Sequence, residues 1–209
     1  MKEQILREAC VETKEEIDAA VHSGADRIEL CSRLDVGGFT PLPQAVEYAL
    51  AQKLNVAIMI RATEDFNIHG NITLLKTQMN DFGKTGISGF VFGFLTKDGK
   101  IDAGVVRELC LAAGSKEKIF HMAFDELTQN EQLDAIDMLA EMGFTRILTK
   151  GGIHSAEDNI EHLKHLNERA LANGKISILC GGSVTDANYR TIAEQTGIRQ
   201  FHGRKLACC

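Results

Sequence analysis

The chain contains 209 residues, of which 44% are hydrophobic and 25% charged, and its net charge is −6. We expect one globular domain over residues 1–209, because no linker-like or low-complexity stretch divides the chain. The negative charge and the lack of a basic run argue against a nucleic-acid partner, since phosphate binding needs clustered Lys and Arg. No apolar run reaches about 18 residues and no signal peptide is evident, so we expect a cytoplasmic protein with no membrane partner.

Short apolar segments alternate with longer amphipathic segments, which predicts repeated βα units around a parallel sheet. The predicted strands cover residues 5–10, 27–31, 55–61, 89–93, 118–124, 146–150, 175–180 and 198–203. The predicted helices cover residues 13–22, 42–53, 70–83, 102–113, 129–141, 155–172 and 185–196. Helix ends carry the expected signals, a capping-box spacing at Thr13 and Glu16 and terminal glycines at Gly24, Gly143, Gly174 and Gly197.

Eight strands and seven helices predict an α/β fold, a TIM-type (β/α) barrel whose final helix is missing. An open, doubly wound sheet is the alternative. The chain stops a few residues after the last predicted strand, so we expect part of the barrel wall to lack a helical cover. An uncovered apolar wall favours a homo-oligomer.

Two neighbouring strands carry the same unusual pair of residues, Glu8 and Cys10 in "REACV" and Glu29 and Cys31 in "RIELC". Their shared parity places all four side chains in the barrel interior. Thiols on strands about 4.8 Å apart can share one soft ion, and Cu(I) suits a reducing compartment. The alternative is two small buried thiols without a function. The other cysteines, Cys110, Cys180, Cys208 and Cys209, add no C-x-x-C or zinc-finger spacing.

Further polar residues mark the C-terminal ends of later strands, where barrel sites are built: Arg61, His121, Asp125, Thr149, Lys150 and His202. With Glu29 or Glu8 as a base, His121 as an acid/base partner and Arg61 as an anion clamp, they suit an enzyme for a small anionic substrate. Asp125 lies near His121 and joins this candidate set. A purely structural alternative is a buried ion pair between Glu29 and Arg61 or Arg33.

A glycine pair follows the seventh strand and opens onto a helix, so the N–H groups of Gly181, Gly182 and Ser183 can hold an anion such as phosphate. Lys150 is a further candidate for this anion site. A tight turn is the alternative explanation. Separately, His162 and His165 lie three residues apart on one predicted helix, and their charged neighbours predict a solvated face.

The sequence resembles the CutC family of copper homeostasis proteins over essentially its whole length. The blocks that carry the resemblance include "EACVET" (8–13), "GADRIELCS" (24–32), "VAIMIR" (56–61), "FHMAFD" (120–125), "RILTKGG" (146–152) and "GGSVT" (181–185). The resemblance implies a TIM-like barrel, a cytoplasmic location and copper handling, with Cu(I) bound by residues matching Cys10 and Cys31. The chain departs from the family pattern at Met122, Lys150 and Ser183, around the expected anion site.

Two functions therefore compete. The leading hypothesis is a copper homeostasis protein that binds Cu(I) through Cys10 and Cys31 at the barrel mouth and needs no organic cofactor. The alternative is a TIM-barrel enzyme with lyase-like or isomerase-like acid–base chemistry on a small anionic or phosphorylated substrate.

Overall fold

A closed barrel of parallel strands forms the centre of the computed structural model, which describes residues 4–207. The strands follow chain order around the barrel: β1 (Leu6–Val11), β2 (Arg27–Leu30), β3 (Asn55–Met59), β4 (Gly89–Val91), β5 (Glu117–Phe120), β6 (Arg146–Thr149), β7 (Ser177–Cys180) and β8 (Gln200–Gly203). The predicted TIM-type barrel is confirmed, and the open-sheet alternative is wrong. Cys208 and Cys209 lie outside the described residues.

The described part of the chain has seven α-helices: α1 (Lys14–His22), α2 (Pro43–Ala51), α3 (Ile72–Gly83), α4 (Ala103–Ala113), α5 (Gln129–Glu141), α6 (Ile160–Asn173) and α7 (Tyr189–Thr196). All seven match predicted helices. Thr13 and Glu16 form the predicted capping box at α1. Among these helices, none has the length and apolar character needed to cross a membrane.

Several strands end earlier in the chain than the sequence predicts. The predicted strand over 118–124 ends at Phe120, and Met122–Glu126 form a short 3₁₀ helix instead. His121 caps that turn, because its Nδ1 accepts a hydrogen bond from the N–H of Ala123. Arg61 and His121 consequently lie beyond strand ends, at the C-terminal mouth of the barrel.

Alternate strand residues pack in two separate layers, as the pleat of a barrel requires. Outward-facing residues such as Ala9 and Ile28 pack under the helices in the main core. Inward-facing residues fill the barrel interior: Cys10, Cys31, Ala57, Met59, Val91, Ile119, Leu148 and Leu179. The predicted interior placement of both thiols is confirmed.

The expected uncovered barrel wall is absent from the described structure. The outward-facing Ala9, Val11 and Phe201 of β1 and β8 are all fully buried within the single chain. Tyr189 of α7 packs edge-on against Phe201, and the segment after β8 adds the buried Leu206 to the same core. The reason for predicting a homo-oligomer is therefore wrong, and oligomerisation itself stays a prediction.

One of the two predictions for the α6 histidines is also wrong. His165 is exposed, but His162 is buried and its Nε2 lies 2.7 Å from Oε1 of Gln132. Gln132 belongs to α5, and its amide nitrogen donates to the carbonyls of Phe124 and Leu127. His162 thus packs at the α5–α6 contact, which the pattern of α6 alone does not reveal.

The barrel interior leaves no room for a side chain at Gly89. A Cβ there would lie 2.8 Å from Cβ and 2.9 Å from the backbone oxygen of Glu117 on β5. We predict that Gly89→Ala lowers the free energy of unfolding by about 1–3 kcal/mol, because a strand must shift. The matched control is Gly104→Ala on exposed α4, where a Cβ meets only Asp102 at 3.5 Å. Urea denaturation should show the control unchanged or slightly stabilised; equal losses would contradict the prediction.

Candidate functional site

The two Glu and Cys pairs lie on neighbouring strands at the barrel mouth, but the second pair is shifted two residues along its strand toward the mouth. Cys10 lies opposite Glu29, whereas Glu8 lies opposite Arg27. The sulfur atoms of Cys10 and Cys31 and one carboxyl oxygen of Glu29 lie within 4.8 Å of one another. Cys31 Sγ donates a hydrogen bond to Glu29 Oε1 at 3.3 Å. We call these three side chains the thiol–acid cluster.

A cavity of about 280 Å³ opens over the thiol–acid cluster. Its lining contains five of the predicted site residues, Cys10, Glu29, Cys31, Arg61 and His121, together with His202. Apolar side chains, including Met59, Phe66 and Leu148, complete the walls. The structure therefore brings six polar side chains from five strand ends together around one cavity.

Glu8 lies below this cavity and forms the centre of a buried ion network. Its Oε1 lies 3.0 Å from Nδ1 of His202, and its Oε2 lies 3.1 Å from Nε of Arg27 and 3.7 Å from Nη1 of Arg146. Burial alone raises the pKa of Glu8, but His202, Arg27 and Arg146 outweigh that effect and lower the pKa to about 2. Glu8 is thus a carboxylate that balances buried cations.

His202 connects this network to the thiol–acid cluster. Burial alone lowers the pKa of His202, but Glu29, Cys10 and Glu8 together raise it well above its ordinary value. The sequence showed His202 at a strand end and left it without a function. Its position on the last strand, which closes the barrel beside β1, is the signal that could have paired it with Glu8.

The members of the thiol–acid cluster differ in charge. The hydrogen bond with Cys31 lowers the pKa of Cys10 to about 5, with His202 adding to the effect, so Cys10 is a thiolate at neutral pH. The same interaction, with burial and Glu29, raises the pKa of Cys31, which keeps its proton. Burial raises the pKa of Glu29 to about 8. Glu29 Oε2 has no hydrogen-bond partner among the described residues.

Arg61 does not form the ion pair with Glu29 that was one possibility from the sequence. Its guanidinium donates to three backbone carbonyls, those of Gly37, Thr63 and Glu64. Arg33, the other proposed partner, pairs with Asp35 on the surface. Arg61 therefore braces two loops while its charge borders the cavity.

His121 presents a different histidine environment from His202. Burial, with the nearby charge of Arg61, lowers the pKa of His121 to about 3, so the ring is neutral. Its Nε2 has no partner among the described residues. Because Nδ1 accepts from the N–H of Ala123, the neutral ring can donate one hydrogen bond from Nε2.

Asp125, in the short 3₁₀ helix after β5, and Lys150, in the loop after β6, lie apart from the cavity. Asp125 accepts hydrogen bonds from the hydroxyl of Thr149 and from the backbone N–H groups of Lys150 and Gly152. Burial raises the pKa of Asp125 to about 6. Lys150 Nζ donates to the carbonyl of Ile153. Both residues have loop-building contacts that the sequence did not indicate.

The predicted anion site adjoins the first cavity. Gly182 and Ser183 line a second pocket of about 410 Å³ that also includes Arg204 and Lys205, and the two pockets share Met122 and His202. Gly182 and Ser183 have positive φ angles of 78° and 64°, as expected of a tight turn. Gly181 packs behind this turn, where a Cβ would approach Met122 and Leu148. Anion binding here stays a prediction.

These features define a class of protein, a TIM-type barrel with a buried thiol–acid cluster at its C-terminal mouth. The sequence profile of the CutC family matches residues 5–207. A CutC family protein from Enterococcus faecalis is 37% identical over 97% of this chain and 100% of its own length, and one from Streptococcus pyogenes is 32% identical with the same coverage. The chain belongs to the CutC family.

Solved structures give the same assignment. The putative copper homeostasis protein CutC from Streptococcus agalactiae has a TM-score of 0.90 and 34% identity, covering 97% of this chain and 100% of its own. A structure described as the aldolase QR15 has a TM-score of 0.73 and 13% identity, covering 96% of this chain and 91% of its own. At that identity the second likeness shows the shared barrel fold alone.

We predict that Glu8→Gln lowers the free energy of unfolding at pH 7 by about 3–5 kcal/mol, because it leaves buried cations uncompensated. The control is Glu117→Gln, which removes a carboxylate that also pairs with Arg146 but is 44% exposed, and it should cost at most about 1 kcal/mol. Urea denaturation of both variants measures the difference.

The pH dependence of the Glu8→Gln effect has a defined sign. The pKa of Glu8 is lowered from 4.5 to about 2 in the fold, so its stabilising contribution is complete above pH 4.5 and is lost as the pH falls through 2. The stability gap between the parent and Glu8→Gln should therefore narrow across that interval. A gap that is independent of pH would contradict the assignment of Glu8 as a buried carboxylate.

Proposed function

We propose that this protein binds Cu(I) as the cargo of a cytoplasmic copper-handling role, with Cys10 and Cys31 as ligands. The observation that carries the proposal is the proximity of two buried sulfur atoms, within 4.8 Å of each other, in a chain of the CutC family. Thiolates select Cu(I) over harder cations. Cys10 and Cys31 are free cysteines, as expected in a reducing compartment.

The donor set fits such an ion. Metal–thiolate bonds of about 2.3 Å, the length known for zinc, allow one ion to bridge sulfurs about 4.6 Å apart. Cys10 is already ionised, and Cys31 releases its proton when a metal binds. Two thiolates with one Cu(I) carry a net charge of −1, which the neighbouring His202 imidazolium can balance. Met59 and Leu148 in the cavity wall limit access of water to the sulfurs.

We predict that Cys10→Ser with Cys31→Ser weakens Cu(I) binding at least 100-fold, because hard hydroxyls replace both soft ligands. The measurement is a titration against a competing Cu(I) chelator under reducing conditions. Cys110→Ser is the matched control, since Cys110 lies on α4 outside the cavity, and it should bind like the parent. If the double variant holds Cu(I) as tightly as the parent, the two thiols are not the ligands.

A second candidate, an acid–base enzyme acting on a small anionic or phosphorylated substrate, has its own supporting observation. Glu29 lines the cavity and is almost fully buried, and its Oε2 lies 3.6 Å from Nδ1 of His202 but accepts no hydrogen bond from the described residues. A buried carboxyl oxygen without a hydrogen bond calls for an explanation such as a catalytic role. In this candidate Glu29 exchanges the proton, while Glu8 positions His202 through their hydrogen bond.

For this candidate we expect that a panel of small carboxylate and phosphate metabolites contains one that the metal-free protein converts. Glu29→Gln should keep binding and lower the rate at least 100-fold, because the amide preserves shape but transfers no proton. Product formation is followed by NMR. Glu117→Gln, at the opposite end of the barrel, serves as the control. If the parent converts nothing in the panel, the acid–base candidate is rejected while the copper proposal is untouched.

A further inference from the structure

We propose that the same cavity binds a small aliphatic carboxylate beside the thiol–acid cluster, with His121 as its hydrogen-bond donor and Arg61 as its positive charge. This site is independent of the copper proposal. It would define the substrate class of the acid–base candidate, but binding does not require that candidate to be right.

The proton on His121 is fixed in position by the backbone. The N–H of Ala123 donates to Nδ1 at 3.1 Å, so Nδ1 carries no proton and the neutral ring carries its proton on Nε2. That Nε2–H lines the cavity, has no partner among the described residues, and belongs to a side chain only 3% exposed. A buried donor left unpaired destabilises the protein, because it has lost its hydrogen bonds to water. A ligand oxygen that enters the cavity removes this cost.

Arg61 supplies a fixed charge beside that donor. Arg61 is 5% exposed, and its guanidinium is held in place by hydrogen bonds to the uncharged carbonyls of Gly37, Thr63 and Glu64. Among the described residues no carboxylate lies within ion-pair distance of Arg61, and Asp65 acts on its charge only from farther away. A buried cation without an anionic partner favours an anionic ligand.

His121 lies across the mouth from the thiol–acid cluster, and Arg61, which follows the strand next to β2, lies between them. Arg61 follows β3 and His121 follows β5, whereas Cys10, Cys31 and His202 lie on or directly after β1, β2 and β8. The closed strand order places β1, β2 and β8 side by side and leaves β5 on the far side of the barrel. The cavity therefore has two chemically different ends.

The surroundings favour a monoanion with a short apolar body. One cation and one neutral donor match the charge and the acceptor oxygens of a carboxylate, while a phosphate dianion would bring more charge than they balance. Phe66, Leu34 and Met59 form apolar walls beside them. Pockets of this kind combine an apolar lining with a few placed polar groups. The volume of about 280 Å³ restricts the ligand to a small molecule.

The test uses pyruvate as the probe and measures its Kd for the metal-free protein by isothermal titration. His121→Asn keeps an acceptor near Nδ1 for the N–H of Ala123 but loses the cavity donor, whereas His121→Gln keeps a donor near Nε2. We expect His121→Asn to weaken pyruvate binding at least 10-fold and His121→Gln to stay within about 3-fold of the parent, the factor of ten corresponding to about 1.4 kcal/mol. Pyruvamide, which lacks the charge, should bind at least 10-fold more weakly than pyruvate.

Two further measurements test the same site without relying on the His121 variants. In the parent, pyruvate should shift the ¹⁵N resonance of His121 Nε2, a measurement that needs no variant. The Cys10→Ser, Cys31→Ser double variant should bind pyruvate normally, which separates this site from the copper site. The proposal is overturned if acetate, propionate and pyruvate all fail to bind, if the Nε2 resonance does not move, if His121→Asn binds like the parent, or if inorganic phosphate binds more tightly than pyruvate.

Discussion

The buried carboxylate of Glu8 is the interaction on which the chemistry of the barrel mouth depends. It contacts Arg27, Arg146 and His202, three groups whose charges would each be costly in the barrel interior without a partner. Glu29, Cys10 and Glu8 together raise the pKa of His202, and His202 adds to the larger effect of the Cys31 hydrogen bond in lowering the pKa of Cys10. The charge state of the cavity is therefore set partly by a residue one layer beneath it. Charged groups in this barrel interior need charged partners nearby, because no solvent is present there to stabilise them.

The stagger of the first two strands explains why two similar sequence pairs acquire opposite properties. Cys10, and not Cys31, lies opposite Glu29, so the second pair lies nearer to the mouth than the first. Burial is outweighed at Glu8 by three cationic neighbours, which lower its pKa to about 2, whereas at Glu29, which lies 3.6 Å from His202, burial dominates and raises the pKa to about 8. Parallel strands in a tilted barrel must be offset in this way. The repeated motif thus yields one carboxyl group with a lowered pKa and one with a raised pKa, so a carboxylate and a carboxylic acid can lie side by side around His202.

Much of the fold could be predicted because its signals are local. Hydrophobic periodicity and capping residues predicted all eight strands and seven helices, and residue parity placed Cys10 and Cys31 in the interior. The remaining features depend on contacts between distant segments. His162 is buried at the α5–α6 contact, where its ring forms a hydrogen bond with Gln132. The outer face of β1 and β8 is covered because α7 and the segment after β8 pack there. No pattern within α6 or β1 carries that information, so sequence reasoning predicted a solvated histidine and an exposed wall.

The same limit explains which candidate site residues come together. Arg61, Asp125 and His121 all follow strand ends, and residue type gave no reason to separate them. In the structure Arg61 and Asp125 satisfy backbone groups of loops, through carbonyls in one case and N–H groups in the other. His121 uses one ring nitrogen in the same way and leaves the second free of protein partners among the described residues. A side chain that only builds a loop uses its polar atoms on the local backbone, whereas one that can bind a ligand keeps at least one polar atom without a protein partner. By that criterion Glu29 and His121, at opposite ends of one cavity, are the groups with hydrogen-bonding capacity left for a ligand.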